Sequence, residues 1–189
     1  GASSGIITEE SPLEPKNDYA STHLFAEYYV KQFGFTHNLK YTILRLTNSY
    51  GMPTFIDSDK WYLALNDLVK SAYEQKKILL KSNGKAKRDF IYMGDVASVV
   101  DRLFKIDATN DTYNLSSNRS YEILELANIV KNEYQKKYNK NIEIEINDND
   151  KMIYDDVSIK NDKLKSIINF EVIDKISEEV NKTFDLLES

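Results

Sequence analysis

The chain contains no cysteine, and only two histidines, three prolines, six glycines and one tryptophan among its 189 residues. Without cysteine it can form neither a disulfide nor a thiolate metal site, a composition that fits a reducing cytoplasm. His23 and His37 stand in separate contexts with no His-x-x-x-His spacing, so no metal site is expected. No Ser-His-Asp order carries the turn signatures of a nucleophilic triad. The six glycines never form a Gly-x-x-Gly-x-x-Gly loop, so no segment of this sequence can cradle a pyrophosphate at a helix N-terminus in that way. No apolar run approaches the ~20 residues that span a bilayer, which argues against a membrane partner, and the N-terminus lacks a charged-then-apolar leader pattern. Lysine and arginine total 25 against 30 acids, a net charge of −5. That balance argues against a nucleic-acid partner, which needs a basic stripe. The opening Gly1-Ala2-Ser3-Ser4-Gly5 has no initiator methionine and reads as the middle of a loop. A fragment, a processed product or a cloned domain is the expectation.

With 41% hydrophobic residues, the chain can bury one substantial core or one and a half. Residues 1–18 read as loop, with Pro12 and Pro15 and with Asn17-Asp18 able to cap a helix. Tyr19 to about Phe33 is helical material, ended by Gly34. Tyr19, Thr22, His23, Ala26 and Val30 share one of its faces. Leu24, Phe25, Tyr28 and Tyr29 make the neighbouring flank apolar, which predicts packing on two partners. Tyr41–Leu46 reads as a buried strand running into a turn at Asn48–Pro53. The spacing predicts helices over Lys60–Gln75, from an Asp95 cap through Phe104, after Ser120, and over Ile173–Leu187. Short strands are expected at Ile78–Leu80, Asp89–Tyr92, Tyr113–Leu115 and Ile142–Ile146, the last alternating Ile and Glu. Helices alternating with strands imply an α/β fold with at least one parallel pair.

Tyr19 and His23 are four residues apart and therefore neighbours on one helical face. Alone, such a pair is usually packing and surface. The order of the later segments is more specific: Arg45-Leu46-Thr47-Asn48-Ser49-Tyr50-Gly51, a helix, a short strand, Arg88-Asp89-Phe90-Ile91-Tyr92, Asp95-Val96-Ala97, then Tyr113-Asn114-Leu115-Ser116-Ser117. This succession resembles the second part of the extended short-chain dehydrogenase/reductases, the nucleotide-sugar epimerases and dehydratases.

The resemblance implies the carboxy-terminal portion of a Rossmann-type parallel sheet plus a small mixed α/β substrate-binding lobe. Residues 1–50 would be the tail of the Rossmann-type domain and 51–189 the lobe, with segments around 88–116 returning to the sheet. It implies NAD or NADP as cofactor, a nucleotide-sugar substrate, and hydride transfer assisted by a tyrosinate. By position Tyr19 would be the base, and His23 replaces the family lysine that lowers the tyrosine pKa and bonds the nicotinamide ribose. A phenol pKa of about 10 must fall for that chemistry, and a neutral imidazole supplies no charge to lower it. Asn48 matches the asparagine that reaches the sugar or diphosphate, and Arg88 the arginine that pairs with the diphosphate. Trp61 and Asn66 are further candidates at the nucleotide pocket, although core packing suffices for Trp61. The family's late Arg-Pro-x-Asp segment has no counterpart in Asp148-Asn149-Asp150-Lys151-Met152, where Lys151 is a poor substitute. The resemblance also implies a homodimer through the Tyr19 helix. Lacking the glycine-rich loop, the 189 residues alone are expected to be inactive. A non-catalytic nucleotide-sugar-binding or dimerising module is the alternative, and an unrelated α/β protein a third reading.

Overall fold

The computed structural model describes residues 4–147 and 149–189. Gly1–Ser3 and Asp148 lie outside the described residues. In chain order the elements are β1 (Gly5–Ile7), α1 (Asp18–His37), β2 (Thr42–Leu46), β3 (Asn48–Tyr50), a 3-10 turn (Asp59–Tyr62), α2 (Ala64–Gln75), β4 (Lys77–Leu79), β5 (Lys87–Tyr92) and α3 (Met93–Leu103). They continue with β6 (Asp111–Leu115), β7 (Ser120–Glu122), α4 (Ile123–Tyr138), β8 (Glu143–Glu145), β9 (Val157–Ile159), α5 (Asp162–Lys165) and α6 (Ile176–Glu188). The fold is α/β, as the alternation predicts. Parallel pairs join β1 to β9, β2 to β6, β3 to β5 and β4 to β8, while β5 and β7 run antiparallel. Among the described residues no helix is long and apolar enough to cross a membrane.

The buried side chains form two clusters. The larger one brings together α2, α4 and α6 through Leu68, Val69, Leu126, Val130, Tyr134, Val180 and Phe184. Here the i, i+3, i+4 stripe of α4 is buried as its spacing predicts. The smaller cluster lies where β5, β6 and α3 meet, around Ile91, Val96, Val99, Tyr113, Leu115, Leu164 and Phe170.

Several local expectations are corrected. Helix α1 does not stop at Gly34 but continues to His37, and Asn38 takes the left-handed conformation that ends it. Gly34 serves a different purpose: a Cβ there would lie 2.5 Å from the Tyr41 ring, so the glycine admits that ring against the helix. The helix predicted from Lys60 is broken at Leu63, whose extended backbone separates the 3-10 turn from α2. Asp95 is not a cap: α3 starts at Met93, and the buried Asp95 carboxylate accepts the Ile173 N–H at 2.9 Å. That contact holds the segment before α6 and leaves Ile173 itself outside that helix. Phe104, the predicted end of α3, follows that helix's last residue, Leu103, and is 85% exposed. Trp61 is half-buried, outside both clusters, and donates to the Ile56 carbonyl at 2.9 Å.

Helix α1 differs from the others. Asn17 caps it by accepting the Ala20 N–H at 2.8 Å, yet none of its 20 residues is buried. It lies over β2, whose only partner strand among the described residues is β6. Thr47 N–H donates to Leu115 O and Asn110 N–H to Tyr41 O, so odd-numbered residues of this stretch face β6. By strand alternation, the backbone N–H and C=O groups of Thr42, Leu44 and Leu46 face the open edge.

Candidate functional site

The carboxy ends of β2, β3 and β6 come together beside the first turns of α1 and α2. Ligands collect at such ends in parallel α/β sheets because the strand backbones stop there and loops and helix N-termini converge. A cavity of about 460 Å³ opens here, bounded by Tyr19, Thr47, Asn48, Tyr50, Asn66 and Phe90, with Ile159 of β9 closing one side. The first turn of α2 (Ala64, Leu65, Asn66) also lines it, and no side chain caps that helix. Its opening N–H groups therefore supply positive potential at the wall.

Tyr19 is 73% exposed and also borders a second cavity of about 510 Å³ between α1 and β2. His23, Ala26, Glu27 and Val30 line that side from the helix, and Ile43 to Leu46 from the strand. Tyr19 and Leu46 are thus the shared rim of two spaces, while His23 faces only the second. The Tyr19 and His23 rings meet edge to face, with centroids 4.2 Å apart and planes at 71°. This is the i, i+4 neighbour relation predicted from spacing.

Asn48 stands on the wall of the first cavity and donates through Nδ2 to the Asp89 carbonyl at 3.0 Å. Asp89 is only 1% exposed. Its Oδ1 accepts from Thr47 Oγ1 at 2.6 Å and from the Ser117 N–H at 2.9 Å, whereas the buried Oδ2 makes no hydrogen bond. Burial pushes this carboxyl above its ordinary value, against the opposing pull of the hydrogen bonds. One buried residue therefore ties together the end of β2, the start of β3 and the loop after β6. Asn66 is buried at the cavity wall and donates to the Lys60 carbonyl at 3.2 Å. Tyr50 accepts the Lys175 N–H at 2.9 Å, and burial pushes its hydroxyl up to about 12, so it is an anchor for the chain before α6.

Tyr19, Asn48 and Asn66 thus share one cavity, and Tyr19 and His23 share the other. Arg88 joins neither: it lies on β5 two residues before Phe90, exposed, with Nη1 donating to the Lys87 carbonyl at 2.8 Å. Strand alternation puts it on the same face as Phe90, one step further along. Sequence reasoning named Asn66 but passed over Thr47, Asp89 and the backbone of the first turn of α2. The signal for Asp89 was its apolar setting in Arg-Asp-Phe-Ile-Tyr, where a carboxylate needs bonded partners. Nothing in the sequence could point to Ile159, which reaches the cavity only through the tertiary fold.

Known proteins with this arrangement are informative about the fold and the family. A putative UDP-glucose 4-epimerase of Methanocaldococcus jannaschii is 24% identical over 127 residues, 67% of this chain and 40% of that protein. The dTDP-D-glucose 4,6-dehydratase of Homo sapiens is 24% identical over 119 residues, 63% of this chain and 33% of that protein. The matched part therefore spans well under half the length of these relatives. Among solved structures, the UDP-glucuronic acid 4-epimerase from Bacillus cereus in complex with NAD superposes with a TM-score of 0.80 and 18% identity, covering 100% of this chain and 57% of that one. The UDP-N-acetylglucosamine 4-epimerase from Methanobrevibacter ruminantium M1, in complex with UDP-N-acetylmuramic acid, gives 0.79 and 22%, covering 96% and 57%. The profile of the NAD dependent epimerase/dehydratase family matches residues 1–116, which hold the Tyr19 helix, the Asn48 strand and the Asp89 tie. The chain belongs to the NAD-dependent epimerase/dehydratase family.

Proposed function

We propose that this chain is the nucleotide-sugar-binding part of an NAD(P)-dependent epimerase or dehydratase, with Tyr19 as its acid–base group. The observation that carries the reading is the position of Tyr19 on the rim shared by two cavities. A sugar in the first cavity and a nicotinamide in the second would both lie beside its hydroxyl. Asn48 and Asn66 would orient the nucleotide sugar, and the uncapped first turn of α2 would receive its diphosphate. Arg88, further along the Phe90 face, would extend the contact toward the phosphates. The similar structures support this substrate class, because one is bound to UDP-N-acetylmuramic acid and another to NAD. In this division, residues 1–50 carry the acid–base group and 51–189 most of the sugar pocket.

The fit to the cofactor is partial. His23 and the open α1–β2 cavity offer a hydrogen bond and space at one end of a dinucleotide, but the sequence holds no glycine-rich loop for its pyrophosphate. When bound, NAD(P) supplies the acceptor for the hydride. The chain's own contribution is to hold the sugar and to take or return a proton at the Tyr19 hydroxyl. His23 preserves positioning but does not supply the ammonium of the family lysine beside the Tyr19 hydroxyl, which implies slow turnover or an unusual substrate. His23→Lys in a turnover-competent form should raise the rate or the cofactor affinity; no gain in either would defeat this role.

For the 189 residues, the expected behaviour is binding of a nucleotide sugar without turnover or tight NAD binding. Calorimetric titration with UDP- and dTDP-hexoses, NAD and NADP tests this. Binding that is weakened by Asn48→Ala and Tyr19→Phe is expected, and tight binding of NAD by this chain alone would overturn the claim of inactivity.

A second reading, a non-catalytic binding or dimerising module, is favoured by the exposed apolar flank of α1, where Phe25, Tyr28, Tyr29 and Phe33 all face solvent. A homodimer through this helix would cover that flank. Hydride transfer by the complete gene product separates the two readings.

A further inference from the structure

Arg45 sits in the middle of β2 and reaches α1. Its Nε and Nη2 donate to the two carboxylate oxygens of Glu27 at 2.9 and 2.8 Å, a planar two-point fork. The side chains of the pair are only 18% and 16% exposed. The remaining Nη1 donates to the Glu9 carbonyl at 3.1 Å, in the loop that leads into α1. The carboxylate of the same Glu9 accepts the Asn114 N–H at 2.7 Å. Arg45 and Asn114 are register partners across the β2–β6 ladder. One level of the sheet therefore grips the helix, the loop before it and the neighbouring strand.

Elsewhere such a grip would be redundant, but here it is not. Packing normally fixes the rotation of a helix by fully burying part of one face, whereas the inner stripe of α1, Ala20, Leu24, Glu27 and Lys31, is only half-buried. The Tyr41 ring against Gly34 touches the same stripe two turns beyond Glu27, and the clamp grips that stripe closer to Tyr19. Glu27 lies on the stripe of Tyr19 and His23, eight and four residues on, so it shares their face. Slipping the helix by one residue turns that face by about 100° and carries Tyr19 off the cavity rim. A two-point Arg–carboxylate fork resists that rotation, whereas a single contact would act as a pivot.

We propose that the Glu27–Arg45–Glu9 clamp is the positioning device for Tyr19, setting the rotation of α1 so that the phenol stands between the two cavities. Its functional meaning rests on the reading of Tyr19 as the acid–base group. The contacts themselves do not.

The test uses the full 189-residue chain labelled with 13C at the tyrosine Cζ, the Tyr19 resonance being assigned by its loss in Tyr19→Phe. Arg45→Met is expected to displace that resonance as the Tyr19 ring leaves its place beside Leu46 on the shared cavity rim. It should also speed amide exchange across residues 19–30 by about tenfold or more, the scale of a charged hydrogen bond. Exchange at Leu126 and Val130 in the distant core should stay as in the parent. Arg45→Lys keeps the charge without the fork and should fail to restore the resonance. The exchanged pair Glu27→Arg with Arg45→Glu should restore it in large part. Glu27→Gln, a milder change, should give the same displacement in a smaller amount and covers the case in which Arg45→Met does not fold. An unmoved Tyr19 resonance in Arg45→Met or Glu27→Gln, or exchange that rises equally everywhere, would overturn the proposal. If the resonance moves as expected while no nucleotide sugar binds the parent chain, the clamp stands and the assigned function fails.

Discussion

Two regions of this molecule are built by opposite means. In the α2–α4–α6 lobe, side chains do the work: Tyr134, Tyr138 and Phe184 pack with ring centroids 4.5 to 5.8 Å apart, and aliphatic neighbours close around them. In the α1–β2 region no helical residue is fully buried, the strand has an open edge among the described residues, and an ion pair and hydrogen bonds set the geometry. The lobe can be understood from its own residues. The α1–β2 region presents apolar surface and unpaired strand groups of the kind that a further protein surface covers. The candidate site lies on the boundary: its wall of α2, β3 and β5 residues belongs to well-packed elements, and Tyr19 stands on the helix with the least packing.

This contrast can be broken most directly in the lobe. Phe184→Ala removes a fully buried ring that meets both tyrosines and should cost about 3–5 kcal/mol. Urea unfolding measures it; a loss of under ~1 kcal/mol would mean that the lobe is not the stable half.

A smaller effect is expected at the boundary. Because burial raises the Asp89 carboxyl, the native state binds that proton more tightly than the unfolded chain does. The contribution of Asp89 to stability therefore falls as pH rises from the ordinary carboxylate value through the raised one, and stays low above it. In Asp89→Asn the amide oxygen still accepts from Thr47 and Ser117. Stability relative to the parent should thus be most favourable to the variant at about pH 7, and that advantage should shrink toward about pH 4. Unfolding curves across this range check the sign, and an advantage that grows on acidification contradicts it.

The smallest stability change belongs to α1. Phe25→Ser with Tyr29→Ser should shift stability by no more than ~0.5 kcal/mol per site, because both side chains are exposed. The same pair should reduce concentration-dependent association in sedimentation velocity. A large loss of stability in the monomer would show that α1 is packed more like the lobe.

The legible parts of the fold and site were those governed by local rules. The stripe of α4, the Asn17 cap and the Tyr19–His23 neighbour relation follow from helical geometry, and each is present. The segments around Asn48 and Arg88 carried the family signature, and β3 and β5 pair there, Asn48 opposite Phe90. The misreadings came where a distant residue overrides a local preference. Gly34 looked like a helix stop until Tyr41 packs on it, and Asp95 looked like a cap until Ile173 claims its carboxylate. Arg88 shares the face of Phe90 but does not itself line the cavity that holds Asn48.

By itself, the sequence determined the α/β class, the family signature and the placement of Tyr19 and His23 on one face, because these depend on contacts within a few residues. The tertiary structure alone decided that Tyr19 would stand between two cavities, that Asp89 would tie three strand ends together, and that Arg45 would hold a helix with no buried face. Those outcomes depend on the fold bringing residues 9, 27, 45 and 114 to one level and residues 47, 89 and 117 together just beyond it, a juxtaposition set by strand register and long-range packing.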